Sequence, residues 1–413
     1  MKSLVSTSLA HFVNDVNTYV FIILYPKLLP LPSELYLIGV LAGLQNLFSV
    51  AVSPFVGRVA DSRKNYGTLL SVGLSLMGIG IAGYSVSVYF VTGFSLFLFL
   101  IPFSVIAGAG GAFYHPLGAS VLNEKWKPQL LGRAMGINGS VGSVGRAIYP
   151  LAVVALAVYI SIPAVTALAV AAFISAGVVL RMLWSVDFLR RGTEQNAGVR
   201  ANGEVVKGGV HGRNIALGSI LPSIIALTLV SFLRGFFMFG VVNFIPVYLK
   251  RVGGLQYGLE LATVFTLILA MPILGQPVLG NIADKNGRRL ALGISIGGSG
   301  IAILFLLNTT NLILQVASLA AFGFFGLTGF PLLLPLATAA VPREAATLSS
   351  SIVWGVGNVG GGALGPLFIG LLAAPALLGS LNGSFYVATI ISLCSLAVLP
   401  FVPTSRLKGR SST

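Results

Sequence analysis

Twelve apolar runs, each long enough to cross a bilayer as a helix, constrain the fold of this chain more than any other feature. A membrane-spanning helix needs about 20 mainly apolar residues, because the hydrocarbon core is about 30 Å thick. Transmembrane strands would alternate apolar and polar residues with period two, and these runs do not. The runs cover residues 4–26, 35–57, 67–90, 94–121, 131–155, 161–183, 218–248, 256–280, 289–307, 312–340, 346–373 and 383–402. We therefore predict an all-α integral membrane protein with twelve transmembrane helices.

The composition excludes a water-soluble globule. Only 8% of the 413 residues are charged and 56% are hydrophobic, whereas soluble domains carry about 25% charged residues. The net charge of +15 does not indicate a nucleic-acid partner, because the basic residues fall in short connectors between the apolar runs. His11, Asn14 and Asp15 interrupt the first run, so we interpret it as a retained span rather than a cleaved signal peptide.

The positions of lysine and arginine predict the orientation. Cytoplasmic connectors of membrane proteins are rich in these residues. If the N-terminus is inside, the outside connectors contain three basic residues, Lys27, Lys250 and Arg251. Two more, Arg146 and Arg234, lie within the apolar runs, and every other lysine and arginine falls on the inside. We expect a multi-pass protein of the cell (plasma) membrane with both termini in the cytoplasm.

The two halves of the sequence repeat. The segment Gly57–Asp61 after the second run recurs as Gly280–Asp284 after the eighth, and residues 139–151 in the fifth run align with residues 355–367 in the eleventh. We predict an N-terminal six-helix bundle over residues 1–183, a polar cytoplasmic linker over 184–215 and a C-terminal six-helix bundle over 216–413. Transporters built from such parallel repeats bind solute at mid-membrane between the halves.

The Gly280–Arg289 loop and the repeat of the two halves are the features that carry a resemblance to a known family. The chain resembles the major facilitator superfamily over essentially its whole length. The resemblance implies the major facilitator fold and a secondary active transporter that works by alternating access, not an enzyme. It also implies that the loop latches the cytoplasmic side. In the first copy of the loop, Lys64 and Asn65 stand where the motif has Gly and Arg. The residues that match this cytoplasmic gate motif are Gly57, Asp61, Gly280, Asp284, Gly287, Arg288 and Arg289.

Two shorter motifs resemble the fosmidomycin-resistance group of the same superfamily. These are residues 11–15 in the first run and residues 113–116 in the fourth. Leu117 departs from that group, which commonly has a carboxylate after the His-Pro pair. The resemblance implies proton-coupled export, an antiport, of a small drug-like or metabolite solute.

Ionisable residues inside the runs are candidates for proton coupling. A charge at the bilayer centre costs about 2.5–3.5 kcal/mol on insertion scales, so such residues usually serve a function. His11 and Asp15 are four residues apart and share one helix face, and a carboxylate beside an imidazole suits a proton site. His115 lies at the same predicted depth. We predict Asp15, His11 and His115 as the coupling residues; structural hydrogen bonds between helices are the alternative.

Arg146 and Arg234 lie near the middle of their runs and are candidates to bind solute. A guanidinium group suits a carboxylate or phosphate. We expect both arginines to converge with Asp15 in a central cleft. Two positive charges against one negative charge would leave the cleft with a net positive charge, so uptake or exchange of a small organic anion remains an alternative. A permanent Asp15–arginine pair is the structural alternative. The amides predicted to contact solute are Asn14, Gln45, Gln276 and Asn358.

Other classes of function lack their sequence signals. No Cys/His cluster indicates a metal, no catalytic Ser/His/Asp pattern stands out, and no glycine-rich run ends in Gly-Lys-Ser/Thr. We therefore expect no cofactor and no metal, and a monomer whose partners are the lipid bilayer, a small-molecule solute and protons. A transporter-like membrane receptor or scaffold remains the alternative from another class.

Overall fold

A computed structural model describes residues 2–29, 34–63, 65–200, 217–329, 332–333, 336–337, 349 and 352–402. The first half of the chain forms six long helices. A short 3-10 turn, Ile162–Val165, precedes the sixth. The helices are α1 (Lys2–Leu28), α2 (Leu35–Arg63), α3 (Tyr66–Ser87), α4 (Gly93–Lys125), α5 (Pro128–Tyr159) and α6 (Thr166–Arg200).

The second half of the chain is also helical. A π-helix, Ile352–Val359, leads directly into α12. The α-helices are α7 (Leu217–Arg251), α8 (Leu259–Ala270), α9 (Pro272–Asn286), α10 (Arg288–Leu307), α11 (Leu312–Gly326), α12 (Gly360–Leu372) and α13 (Leu381–Val398).

These helices account for the predicted spans. Within the described ranges, ten helical segments are long and apolar enough to cross a membrane, and α11 is a shorter apolar helix. The 27-residue α1 supplies the remaining span. Helices α8 and α9 together form one segment, Leu259–Asn286, interrupted at Met271. Pro272 starts α9 there, a position at which the missing proline N–H is tolerated. The prediction of an all-α, twelve-helix membrane fold is confirmed.

The sixth helix is longer than the sequence pattern predicted. It continues to Arg200, whereas the predicted span ends at residue 183. Adding a residue to an existing helix is favourable once the helix has nucleated, and residues 184–200 contain no proline to stop it. The first part of the predicted linker is therefore helical. Residues 201–216 lie outside the described ranges, as do most residues between 330 and 351, and the domain boundaries stay a prediction.

Among the residues that the structure describes, the two bundles share a hydrophobic core at one end only. At the end opposite the N-terminus, Tyr25 of α1 and Phe244 of α7 belong to one continuous buried cluster. Toward the N-terminal end the cores are separate, with Leu70 in a cluster of the first bundle and Leu292 in a cluster of the second. Apolar burial therefore holds the bundles together at the far end. No such shared cluster joins the bundles among the described residues at the end where α1 begins, and we interpret that end as the opening of a cleft.

Glycines allow α2 and α12 to close the far end. A Cβ added to Gly39 would lie 2.5 Å from the carbonyl oxygen of Pro366, and one added to Gly43 would lie 2.8 Å from that of Ala363. Small residues permit such close approach of helices in a membrane. We call this contact the far-end seam.

Two polar contacts also join the bundles. Asn46 Nδ2 on α2 donates to the Gly362 carbonyl oxygen on α12 at 3.1 Å. At the far end, Lys250 Nζ donates to the Pro26 carbonyl oxygen at 2.8 Å. Pro26 lies in the last turn of α1, which ends at Leu28, and the last carbonyls of a helix have no donor within the helix. Lysine therefore satisfies an acceptor in the neighbouring bundle.

Candidate functional site

Asp15 on α1 is buried and faces Arg146 on α5. The Nε atom of Arg146 lies 3.4 Å from Asp15 Oδ2. On its other side, Asp15 Oδ1 lies 3.6 Å from His11 Nε2 and accepts a hydrogen bond from Asn14 Nδ2 at 3.2 Å. The carboxylate is thus shared between a fixed cation and a titratable imidazole, as the four-residue spacing of His11 and Asp15 predicted.

Small residues on α5 bring this helix against α1. A Cβ added to Gly142 would lie 2.5 Å from both Cδ2 and Nε2 of the His11 ring, and one added to Gly145 would lie 2.7 Å from the Phe12 carbonyl oxygen. Arg146 follows on the same helix and donates from Nη2 to Ser143 Oγ at 3.2 Å. The glycines therefore set the distance at which Arg146 and Asp15 meet.

The His11 ring docks on two residues that sequence reasoning missed as partners, Asn138 and Tyr114. His11 Nδ1 lies 2.9 Å from the Asn138 carbonyl oxygen and 3.0 Å from Asn138 Oδ1. Tyr114 stacks on the imidazole with ring centroids 4.4 Å apart and donates its hydroxyl to Asn138 Oδ1 at 2.6 Å. A buried amide inside an otherwise apolar and glycine-rich span was the available signal for Asn138.

His115 on α4 is exposed, unlike the buried Asp15. Its ring meets His11 edge-on, with centroids 5.8 Å apart, and meets Trp354 of the π-helix at 6.4 Å. His115 therefore links the Asp15 cluster to the second bundle. Since its neighbours come from both bundles, its exposure places it on the wall of the cleft.

Arg234 does not join this cluster. Its side chain is 2% exposed and donates from Nη2 to the Gly326 carbonyl oxygen in the second bundle. A Cβ added to Gly329 would meet the same guanidinium and Ser295 Oγ. The expected convergence of both arginines on Asp15 is wrong: Arg146 pairs with Asp15, while Arg234 packs among helices of its own half. Periodicity along α7 could not show this, because the partners lie about 90 residues away.

The four amides predicted to contact solute occupy different environments. Asn14 donates to Asp15, and Gln45 Nε2 lies 3.4 Å from the Thr18 carbonyl oxygen of α1. Gln276 is half-buried on α9. Asn358 is 1% exposed in the π-helix, and neither polar atom of its side chain has a hydrogen-bond partner among the described residues. Their roles stay predictions.

The glycines of the two gate motifs face open space. A Cβ added to Gly57 or to Gly280 would meet no heavy atom within 4 Å. Gly287 separates α9 from α10 with φ +99°, a conformation that favours glycine. These loops lie toward the diverging end of the bundles, where the cores are separate.

The charged residues of the gate motif are placed as follows. Asp284 is exposed, while Arg288 and Arg289 are half-buried. Arg289 Nη2 donates to the carbonyl oxygen of Val402 at the end of the last span. Asp61 lies in α2, and its side chain is outside the described part of the structure. A latch between the two copies therefore stays a prediction.

Among the described residues, no group of three or more His, Cys, Asp or Glu side chains is arranged to hold a metal ion. The site instead combines one carboxylate, one arginine, two imidazoles and two other aromatic rings. These groups can exchange a proton and contact a small organic molecule.

A fold of two helical bundles, with a buried ionic cluster in the first of them, is that of a multi-pass membrane transporter. The family model of the Major Facilitator Superfamily matches residues 7–273 and 253–413. The chain belongs to the Major Facilitator Superfamily, which confirms the wider resemblance and the assignment as a transporter of small solutes rather than an enzyme. The narrower resemblance to the fosmidomycin-resistance group stays a prediction.

Several curated relatives share a stretch of sequence with the chain. The Multidrug resistance protein MdtG of Salmonella paratyphi A is 28% identical over 177 residues, which are 41% of this chain and 42% of that protein. MdtG of Escherichia fergusonii is 29% identical over 174 residues, 41% of each chain. The matches thus span about two-fifths of the length of these relatives.

Solved transporters share the fold over nearly the whole chain. A D-xylose–proton symporter superposes with a TM-score of 0.71 at 13% identity, covering 98% of both chains. A bacterial homologue of the human lysosomal transporter Spinster, in an inward-facing and occupied conformation, gives a TM-score of 0.70 at 16% identity, covering 97% of this chain and 95% of that one. At these identities the likeness shows the fold alone.

Proposed function

We propose that the protein is a proton-coupled exporter of a small drug-like or metabolite solute and that it works by alternating access. The observation that carries this proposal is the contact of Asp15 with both Arg146 and His11, at 3.4 and 3.6 Å. The partial similarity to proteins named for multidrug resistance supports export as the direction.

The chemistry of coupling follows from competition for one carboxylate. Arg146 remains charged at any physiological pH. When Asp15 is ionised, it pairs with Arg146 and can also attract a cationic solute; when it is protonated, its charge is lost and so is the attraction. His11 and His115 carry imidazole groups that can deliver or accept the proton. A proton and a cationic solute thereby compete for the Asp15 carboxylate, which is the requirement for exchange.

The orientation makes the cleft a cytoplasmic opening. Lysine and arginine accumulate in the connectors at the end where α1 begins, and such connectors face the cytoplasm. Within the described ranges, the bundles have separate cores at this end and one shared core at the far end. The conformation is then open to the cytoplasm and closed outside. Both termini and the linker between residues 184 and 215 lie on the cytoplasmic side.

The gate motif belongs to the opposite state. In the cytoplasm-open state Gly57 and Gly280 face open space. When the bundles close at the cytoplasmic end, these loops approach, and Asp61 and Asp284 can pair with Arg288, Arg289 or a helix N-terminus. The motif would therefore stabilise the outward-open state.

Flux measurements on purified protein in proteoliposomes test the proposal. Entrapped pyranine reports the proton, ethidium serves as a lipophilic cation probe and fluorescein as an organic anion probe. We expect an imposed pH gradient to drive ethidium movement with opposite proton movement, and Asp15→Asn to lose both. Glu260→Gln is the matched control, because Glu260 is an exposed carboxylate at the start of α8.

Each alternative has its own result. Gradient-independent ethidium movement, or full activity in Asp15→Asn, would refute proton coupling through Asp15. Accumulation of fluorescein in place of ethidium would favour uptake or exchange of an organic anion. Binding of either probe with no flux in any condition would favour a receptor.

A further inference from the structure

A contact with the main chain determines whether His11 Nδ1 donates or accepts a hydrogen bond. Nδ1 lies 2.9 Å from the carbonyl oxygen of Asn138. A carbonyl oxygen only accepts hydrogen bonds, so Nδ1 must donate. This argument does not depend on which way the Asn138 amide is turned, since it uses a main-chain atom. The proton on Nδ1 is therefore held by α5.

Three groups keep the ring in this pose. Asn138 is 7% exposed, and its Oδ1 accepts from both His11 Nδ1 and the Tyr114 hydroxyl, at 3.0 and 2.6 Å. The Tyr114 ring covers one face of the imidazole with an interplanar angle of 23°. Gly142 leaves room for Cδ2 and Nε2, since a Cβ there would lie 2.5 Å from each. Rotation of the ring would break two hydrogen bonds and the stack.

The second nitrogen then faces the carboxylate. His11 Nε2 lies 3.6 Å from Asp15 Oδ1. If neither group carried a proton there, a lone pair on Nε2 would point at a negative charge, so the contact is favourable only with one proton between them. The other charged or titratable groups that face this pair are Arg146 from α5, His115 and Tyr114 from α4, and Tyr19 on α1 itself.

We propose that Asn138, supported by the Tyr114 hydroxyl, is a positioning residue that fixes the proton of His11 on Nδ1 and so makes Nε2 the nitrogen that exchanges a proton with Asp15. This inference rests on the proposed function, in which the His11–Asp15 pair carries the coupling proton. No covalent bond other than the N–H or O–H bond changes in the exchange. The proton leaves His11 Nε2 and is taken up by an Asp15 oxygen, or the reverse.

Nitrogen-15 NMR of His11 tests the assignment directly. The chain has three histidines, so a His115→Gln/His211→Gln variant leaves His11 as the single imidazole signal. We expect Nδ1 to show the protonated chemical shift on both sides of the titration, while Nε2 alone moves between protonated and unprotonated shifts. A neutral ring with its proton on Nε2 would overturn the proposal.

Variants of Asn138 should change the pH at which His11 titrates. A residue with a merely structural role would leave that pH unchanged. Asn138→Asp adds a negative charge beside the Nδ1 proton and is expected to move the His11 titration midpoint at least about one unit toward higher pH. Asn138→Leu removes an acceptor and is expected to move it toward lower pH. The control is Asn243→Leu, because Asn243 is also buried and its amide donates at 2.7 Å to the Phe239 carbonyl oxygen of its own helix.

A variant of Tyr114 tests the same proposal if Asn138→Asp does not fold. Tyr114→Phe keeps the stacked ring and removes only the hydroxyl on Asn138 Oδ1, so we expect the Nδ1 proton to exchange faster with solvent. Unchanged titration and unchanged exchange in the folded variants would overturn the positioning role. Proton-independent flux in the wild type, with the expected nitrogen-15 pattern, would instead refute the proposed function and leave the tautomer assignment intact.

Discussion

Trp354 of the π-helix meets His115 of α4 edge-on across the two bundles, with ring centroids 6.4 Å apart. His115 also contacts His11, which contacts Asp15. A chain of contacts thus runs from the carboxylate in the first bundle to an aromatic ring in the second. Rigid-body rocking of the bundles would change the last contact first, since it is the one that crosses the cleft.

Replacing Trp354 by alanine should weaken the binding of a transported probe. An aromatic pair contributes about 0.5–1.5 kcal/mol beyond its buried area, and 1.4 kcal/mol corresponds to tenfold in affinity. We expect the KM for ethidium to rise at least about fivefold in Trp354→Ala and less than about twofold in Trp354→Phe. Trp184→Ala is the control, since Trp184 is 60% exposed on α6. An unchanged KM in Trp354→Ala would exclude this ring from the solute site.

A methyl group at position 142 should displace His11. A Cβ there would lie 2.5 Å from two atoms of the ring, whereas a Cβ at Gly139, one turn earlier, would meet no heavy atom within 4 Å. We expect Gly142→Ala to lower proton-driven flux at least about tenfold and to alter its pH profile. Gly139→Ala should stay within about twofold of wild type. Similar flux in both variants would contradict the docking of His11 on α5.

Removing either member of the Asp15–Arg146 pair should destabilise the protein strongly. Breaking a buried ion pair leaves an uncompensated charge, which costs about 3–5 kcal/mol. We expect Asp15→Asn and Arg146→Gln each to lower the unfolding temperature in detergent. The double variant should lose less than the sum of the two, with a coupling of at least about 1 kcal/mol. Strict additivity would contradict the pair seen at 3.4 Å.

Widening the far-end seam should shift the population of conformations. A Cβ at Gly43 would lie 2.8 Å from a main-chain oxygen of α12, so Gly43→Ala must separate the two helices. Spin labels at Tyr89 and Leu377, both exposed, in a Cys394→Ser background should report an increased distance between the bundles by electron resonance. Gly177→Ala on α6, where a Cβ also meets nothing within 4 Å, serves as the control. Identical distance distributions in Gly43→Ala and wild type would refute the seam as a closing element.

The buried amide of Asn358 should cost stability. A buried polar group without a partner costs about 1–3 kcal/mol, and neither polar atom of this side chain has one among the described residues. We expect Asn358→Leu to raise the unfolding temperature and, if the amide contacts solute during transport, to lower flux. Asn243→Leu should lower the unfolding temperature, because it removes a formed hydrogen bond. Destabilisation of both variants alike would show that Asn358 is satisfied in the membrane.

Local pattern determined the membrane fold of this protein. Apolar runs of about 20 residues specify spanning helices in any context, because a lipid core leaves backbone groups no partners outside the helix. The repeat of Gly57–Asp61 at Gly280–Asp284 specified two related halves. The four-residue spacing of His11 and Asp15 placed them on one face of α1, since helix geometry needs no tertiary contact.

Tertiary structure decided which of these groups meet. Arg146 and Arg234 look alike in sequence, yet one faces Asp15 and the other donates to Gly326 in its own bundle. Asn138 became part of the site because glycine at position 142 lets α1 and α5 approach, across more than 120 residues of chain. Such pairings depend on how helices pack against one another, and the period of a single helix records only which side chains share its faces.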